Sequence, residues 1–209
     1  MVYFRAVGYA KSDETKRKLL SATGKLLRAR GYAATGLSAI ARVSRVPKGS
    51  LYHHFPGGKA EVAGAAVARS GDAIVTRLRD LADRERDPVL AMRAFCDGYV
   101  KQLQESAFAR GCPLATVALE AAPHVDPVHA ACSDAFDGIV ALFAQRLAEH
   151  GMPSLAADDE ALHTVAAIEG ALVLAKAKRD VRPLEVVRDR LTAHLRRQLA
   201  DATRNGAPE

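Results

Sequence analysis

The sequence predicts an all-α chain, and three observations carry that expectation. Apolar residues recur at helical spacing in nearly every segment after Ser12, nothing reads convincingly as a strand, and Gly, Pro, Asp and Ser fall where the periodic runs start and stop. With 209 residues, 49% of them apolar, the chain can bury a substantial core as one large or two small domains.

The first ten residues show no clear period and read as a disordered arm. Ser12 then offers an N-cap, Asp13 and Glu14 suit the positive end of a helix dipole, and Gly31 ends the run. Leu19, Leu20, Thr23, Leu26 and Leu27 mark its core side. Thr35 is the expected cap of a second helix, Pro47 stands at or beside the start of a third, and the Pro56-Gly57-Gly58 break precedes a fourth from about Lys59 to Asp83. Asp87-Pro88, a cap followed by a proline at the first helical position, opens a helix to about Ser106 with Leu90, Ala94, Phe95, Tyr99 and Leu103 on one face.

Gly111-Cys112-Pro113 interrupts the chain before a shorter helix to Ala122. Asp126-Pro127 repeats the cap-and-proline start for a long core helix ending at Gly151, in which Val128, Ala131, Ala135, Phe136, Ile139, Leu142, Phe143 and Leu147 are the apolar set. Asp158 or Asp159 is the expected start of an Ala- and Gly-rich helix. Pro183 begins the last, with Leu184, Val187, Leu191 and Leu195 on one stripe.

Charge divides the chain. Residues 1–59 hold 12 Lys and Arg against 2 Asp and Glu, and residues 60–209 hold 18 against 22, so the first part is +10 and the rest −4 within a net +6. That asymmetry predicts an N-terminal polyanion-binding module. Nucleic acid fits better than an anionic membrane surface, the alternative, because Gly, Pro and aromatic residues break the basic region into short helices without one long amphipathic face. Cys96, Cys112 and Cys132 are sparse and odd in number, which argues for a reducing compartment. No signal-peptide pattern and no run of about 18 apolar residues is found, so a cytoplasmic protein without membrane association is expected.

Residues Leu37 to Lys59, LSAIARVSRVPKGSLYHHFPGGK, concentrate the functional signal. Leu37, Ile40, Ala41 and Val46 are spaced to bury one side of a helix and its turn, and Leu51 and Phe55 do so for a second helix starting near Pro47. The opposite side carries Arg42, Arg45, Lys48, Ser50, Tyr52 and His53, the cations and hydrogen-bonding groups that phosphate contact and major-groove reading require. Two solvated surface helices are the alternative reading. In the helix-turn-helix reading, Lys48 meets the DNA backbone, with Pro47 and Gly49 beside it at the start of the reading helix. Thr35 and Ser38 add hydroxyl or amide contacts, Tyr52 and His53 face phosphate or base edges, Arg42 is a further candidate, and Arg45 and Ser50 are the candidates for base reading. His54 and Phe55 read as packing residues.

The helix order, together with Gly31-Tyr32, Thr35, Ile40-Ala41, Val46, Lys48-Gly49-Ser50-Leu51-Tyr52, His54-Phe55 and Lys59, resembles the TetR family of bacterial transcriptional regulators. Gly111-Cys112-Pro113-Leu114 and Ala118-Leu119-Glu120 look like its LmrA/YxaF-type branch. The resemblance implies a three-helix DNA-binding domain, residues 1–58, and a helical effector-binding and dimerisation domain, residues 59–209. It also implies a ligand-responsive homodimer, most simply a repressor. The sequence departs from the family at Ser44-Arg45, where Ala-Gly is frequent, at Gly36, which follows Thr35 where a hydroxyl residue is frequent, at Pro47 in place of a serine cap, and at an added glycine before Lys59.

One head covers a half-site, so a two-fold dimer on a near-palindromic double-stranded operator is expected, with half-sites about 34–36 Å or a multiple apart. The last two helices are the expected dimer surface, although their stripes would also serve as internal core. The implied effector pocket is assigned to Phe95, Tyr99, Phe108, Phe136, Ile139 and Phe143, with Cys112, Glu120, His124, His163 and Glu169 as polar points. An enzyme is not expected: GxSxG, HExxH and a phosphate loop are lacking, His124 and His129 point to different helix faces, and no Cys has metal-ligand spacing. No cofactor or metal is predicted. A helical adaptor or small-molecule-binding protein without DNA reading is the competing function, and it leaves the +10 head unexplained.

Overall fold

A computed structural model describes residues 3–121 and 123–205. Among them are nine α-helices and no strand: α1 (Tyr3–Arg30), α2 (Leu37–Ser44), α3 (Lys48–His54), α4 (Gly58–Glu85), α5 (Pro88–Glu105), α6 (Pro113–Glu120), α7 (Asp126–Glu149), α8 (Ser154–Lys178) and α9 (Arg182–Asn205). The all-α expectation holds. No helix among the described residues is long and apolar enough to cross a membrane.

Three helix starts differ from expectation. α1 already runs through Ser12 from Tyr3. Lack of an apolar period does not oppose a helix there, since no proline interrupts the segment and Ala6, Ala10 and Lys11 favour helix. α2 is preceded by Gly36 at the N-cap position without a side-chain cap bond, while Thr35 is buried and donates its hydroxyl to the Gly31 carbonyl at 2.7 Å. α8 begins at Ser154 with Pro153 at its N-cap position, so Asp158 and Asp159 lie inside the helix. The Asp87-Pro88 start is as expected: the Asp87 carboxylate accepts the backbone N–H groups of Val89 at 2.8 Å and Leu90 at 3.3 Å, two of the donors a helix start leaves unpaired.

Contacts divide the chain into two compact units. One holds residues up to Ser70 with Pro113–Asp134; the other holds Gly71–Cys112 with the chain from Ala135 onward. The first unit thus takes in residues beyond 58. Val62 of α4 joins its core, and α6 together with the start of α7 belongs to it. Gly64 permits this packing, because a Cβ there would stand 2.5 Å from the Pro127 carbonyl oxygen.

The core of the first unit gathers Leu19 and Leu26 from α1, Ile40, Val46, Leu51, Phe55 and Val62, with Leu20 and Leu37 packed against it. All of these except Val62 are positions that the sequence marks as inward. In the second unit, Met92, Leu103, Leu147, Leu184 and Leu195 are fully buried, and α9 packs on α5 and α8. Arg188 joins α9 to α5 through Asp97 at 2.5 Å, and Arg93 reaches Asp189 at 3.0 Å. Cys96, Cys112 and Cys132 are all buried and unbridged. Burial pushes the Cys96 thiol up to about 12.

Candidate nucleic-acid interface and effector cavity

The turn between α2 and α3 is built without glycine. Arg45 takes the left-handed conformation, φ 56° and ψ 35°. Its N–H donates to the Arg42 carbonyl at 3.3 Å, and the Val46 N–H donates to the Ala41 carbonyl at 3.1 Å, the paired bonds that close a helix with a left-handed residue. Ser44 stitches the same turn: its hydroxyl donates to the Ala41 carbonyl at 3.1 Å and lies 3.3 Å from the Val46 N–H. Val46 then plugs the core, and Pro47 fixes the entry to α3, whose first turn is closed by the Leu51 N–H on the Pro47 carbonyl at 3.2 Å.

With Leu51 and Phe55 inward, the other side of α2 and α3 is open. Ser38, Arg42, Arg45, Pro47, Lys48, Gly49, Tyr52 and His53 are exposed, and Ser50 is half-buried. Tyr52 leaves 51% of its surface in solvent, a large aromatic left uncovered amid cations. Thr35 stands apart from this set because its hydroxyl is turned inward. His54 is half-buried and Phe55 buried, as packing residues should be.

A neighbouring arrangement fixes the segment that leads into α2. Gly31 ends α1 at φ 75°, and a Cβ there would collide with the Glu120 carboxylate at 2.1 Å. That carboxylate accepts the N–H groups of Tyr32 at 2.6 Å and Ala33 at 2.7 Å. Lys59 acts from another side, donating to the Ala33 carbonyl at 3.3 Å with its ammonium 4.2 Å from the Tyr32 ring centroid. Glu120 therefore holds the α1–α2 segment, and it is not among the residues that line the cavity of the second unit. The Tyr32 and Ala33 N–H groups lie in the connecting segment after α1, and this carboxylate is the partner that pairs them.

In the second unit a narrow cavity of about 10 Å³, room for about one water, is lined by Ile74, Phe95, Tyr99, Ile139, Phe143, Val165, Ile168 and Glu169. Five expected pocket residues meet there: Phe95, Tyr99, Ile139, Phe143 and Glu169. Phe95 stands edge-on to Tyr99 at 5.2 Å and to Phe143 at 6.1 Å between ring centroids. Cys112 is buried and is not part of the lining, but its thiol acts on the titration of both Tyr99 and Glu169. Burial raises the Glu169 carboxyl, and the Cys112 contact opposes that shift. Its Oε2 is buried without a hydrogen-bond partner.

The structure leaves other expected residues outside this cavity. Phe136 is half-buried and does not line it; His163 is exposed and lies beside Glu160 and His194 instead. Phe108 and His124 also fall outside the lining. Ile74, Val165 and Ile168 escaped the sequence reading, because ordinary aliphatic core residues carry no mark that separates pocket from core.

These features define a helix-turn-helix protein with a second, helical unit enclosing an apolar cavity. The N-terminal model of the bacterial regulatory proteins of the tetR family matches residues 19–66, and that of the LmrA/YxaF-like transcriptional regulator C-terminal domain matches residues 88–190. The chain is 31% identical to the uncharacterized HTH-type transcriptional regulator YxaF of Bacillus subtilis, over 88% of this chain and 97% of the relative. It is 30% identical to the HTH-type transcriptional regulator LmrA of the same organism, covering 82% and 91%. The crystal structure of regulatory protein TetR from Rhodobacter sphaeroides superposes with a TM-score of 0.75 at 26% identity, covering 85% of this chain and 97% of that one. The chain belongs to the TetR family of transcriptional regulators, in its LmrA/YxaF-like branch, and carries that family's DNA-binding helix-turn-helix; it is not an enzyme.

Proposed function

We propose that the protein is a homodimeric repressor, released from a near-palindromic operator by a small apolar effector that carries one hydrogen-bond donor. The observation that supports DNA reading most is the two-sidedness of α3: Leu51 buried to 0% exposure and Lys48, Tyr52 and His53 outside. Lys48 and Arg42 meet phosphates, Arg45 and Ser50 read bases, and Ser38, Tyr52 and His53 complete the contacts beside Pro47 and Gly49. Thr35 contributes by holding the end of α1, its hydroxyl being committed to Gly31.

Dimerisation through α8 and α9 is supported by Leu155, Leu162, Val173, Leu174 and Val186, large apolar side chains left in solvent on these helices. An effector is supported by the aromatic lining of this cavity, which must widen to admit a ligand, and by the unpaired Oε2 of Glu169 at its wall. A buried carboxyl in such a place rewards a donor and leaves a purely apolar ligand with an unsatisfied group. The effector shifts the DNA-binding equilibrium by its difference in affinity between two arrangements of the protein.

A salt series on duplex operator DNA tests the reading. The parent loses affinity steeply as salt rises, and Lys48→Ala binds all sequences more weakly with the salt slope reduced by about 1. A Lys48→Ala protein as tight as the parent at every salt concentration overturns the Lys48 assignment. Salt-insensitive or absent binding by the parent would favour an adaptor.

A further inference from the structure

We propose that Glu160, His163 and His194 form a site for a divalent transition ion of the zinc type that ties α8 to α9. The donor atoms of these three side chains all lie within 4.8 Å of one another. Glu160 and His163 are three positions apart on α8 and so share a face, and His194 comes from the adjoining α9. The His194 Nε2 stands 2.9 Å from both Glu160 oxygens, and the His163 Nδ1 stands 3.8 Å from Glu160 Oε2.

An ion bonded at about 2.0–2.2 Å to each ligand holds neighbouring ligand atoms roughly 3–3.5 Å apart. The His194 to Glu160 separation is already near that value, and a small turn of the exposed His163 ring closes the other. The two imidazoles lie 5.8 Å apart between centroids and 79° between planes, so they do not stack and their nitrogens can converge on one point. Two imidazoles and a carboxylate suit zinc, cobalt or nickel; magnesium and calcium prefer oxygen ligands throughout. Three protein ligands leave a coordination position for water or a small ligand.

Placement strengthens the case. The side chains of Glu160 and His194 are only 20% and 30% exposed, so their positions are fixed by packing before any ion arrives. His163 faces solvent and gives an entry path. The cluster shares no residue with the Glu169 cavity or with the face of α2 and α3. A plain ion pair would need only Glu160 and His194; it gives no role to His163.

The test uses the full chain without an affinity tag, treated with chelator and titrated with Co²⁺ while its visible absorption is followed. One ion per chain should bind with a spectrum of low coordination number, and one equivalent of Zn²⁺ should displace it. His163→Ala and His194→Ala should each weaken binding by about tenfold or more. Zn²⁺ should raise the Tm of the parent and of a His53→Ala/His54→Ala variant, but not of those two. Circular dichroism in chelator checks that the variants are folded; Glu160→Gln, which preserves side-chain shape, supplies a further ligand variant. Binding by His163→Ala equal to that of the parent overturns the site, as does loss of the ion only in the His53→Ala/His54→Ala variant.

Discussion

The Glu120 carboxylate accepts the Tyr32 backbone N–H at 2.6 Å, joining residues 88 positions apart. Ala33 supplies a second bond, so the end of α6 holds the segment between α1 and α2 by its main chain. Glu120→Gln leaves one acceptor oxygen and turns an amide toward N–H groups. The loss should be about 1 kcal/mol, toward the low end for bonds to charged groups because Glu120 is exposed. Hydrogen exchange at Tyr32 and Ala33 should quicken before exchange in the α1 core changes. Unchanged exchange at these two amides refutes the role.

Arg45→Gly separates backbone from charge. The left-handed conformation costs a non-glycine residue about 1–2 kcal/mol, and Arg45 has φ 56°. Glycine should raise the urea midpoint of unfolding by about 1 kcal/mol in equivalent stability, and at the same time alter operator preference. Lower stability would show that the arginine side chain contributes more than the turn costs.

Removing the Asp87 cap is expected to act only on stability. Asp87→Ala leaves the Val89 and Leu90 amides without their acceptor, at a cost of about 1 kcal/mol. Denaturant titration reads it, and operator affinity per folded protein should be unchanged.

The pH dependence of Glu169→Gln follows from burial. Since burial raises the folded-state pKa, the native state holds this proton more tightly than the unfolded chain does. Stability therefore falls as pH rises from the ordinary glutamate range through the raised value, and the penalty is complete above it. Glu169→Gln should be more stable than the parent at neutral pH and should lose that advantage on acidification. An advantage that persists at low pH assigns the effect to packing.

Leu174→Arg places a charge among the uncovered apolar side chains of α8, where Leu174 is 52% exposed. If α8 and α9 form the proposed dimer interface, this variant should sediment as a monomer at concentrations where the parent associates, with helical content retained. A variant that remains dimeric moves the interface elsewhere.

Local signals were legible where one residue and its next few neighbours decide the outcome. The Asp87-Pro88 start, the Gly31 stop and the inward positions of Leu51 and Phe55 are of this kind. The start of α8 was misread because Asp158 and Asp159 look like caps, whereas the helix already begins at Ser154 with Pro153 at its N-cap position. Thr35 looks like a cap in sequence, but its hydroxyl is used by the preceding helix. Phe95, Tyr99, Ile139 and Phe143 are pocket candidates only through the family resemblance, because their four-residue spacing places each pair on one helix face but marks core equally well. Glu120 with Tyr32, and His163 with His194, were not readable, because tertiary packing alone brings such distant positions together.

The three buried thiols give the molecule a built-in chemical clock for opening. A cysteine reacts as thiolate, so a residue as shielded as Cys96 is modified only when its surroundings open, and the same holds for Cys112 and Cys132. Cys132 belongs to the first compact unit and Cys96 and Cys112 to the second. The order in which a thiol reagent labels these positions therefore records whether the halves of this regulator melt together or one after the other, with no added probe.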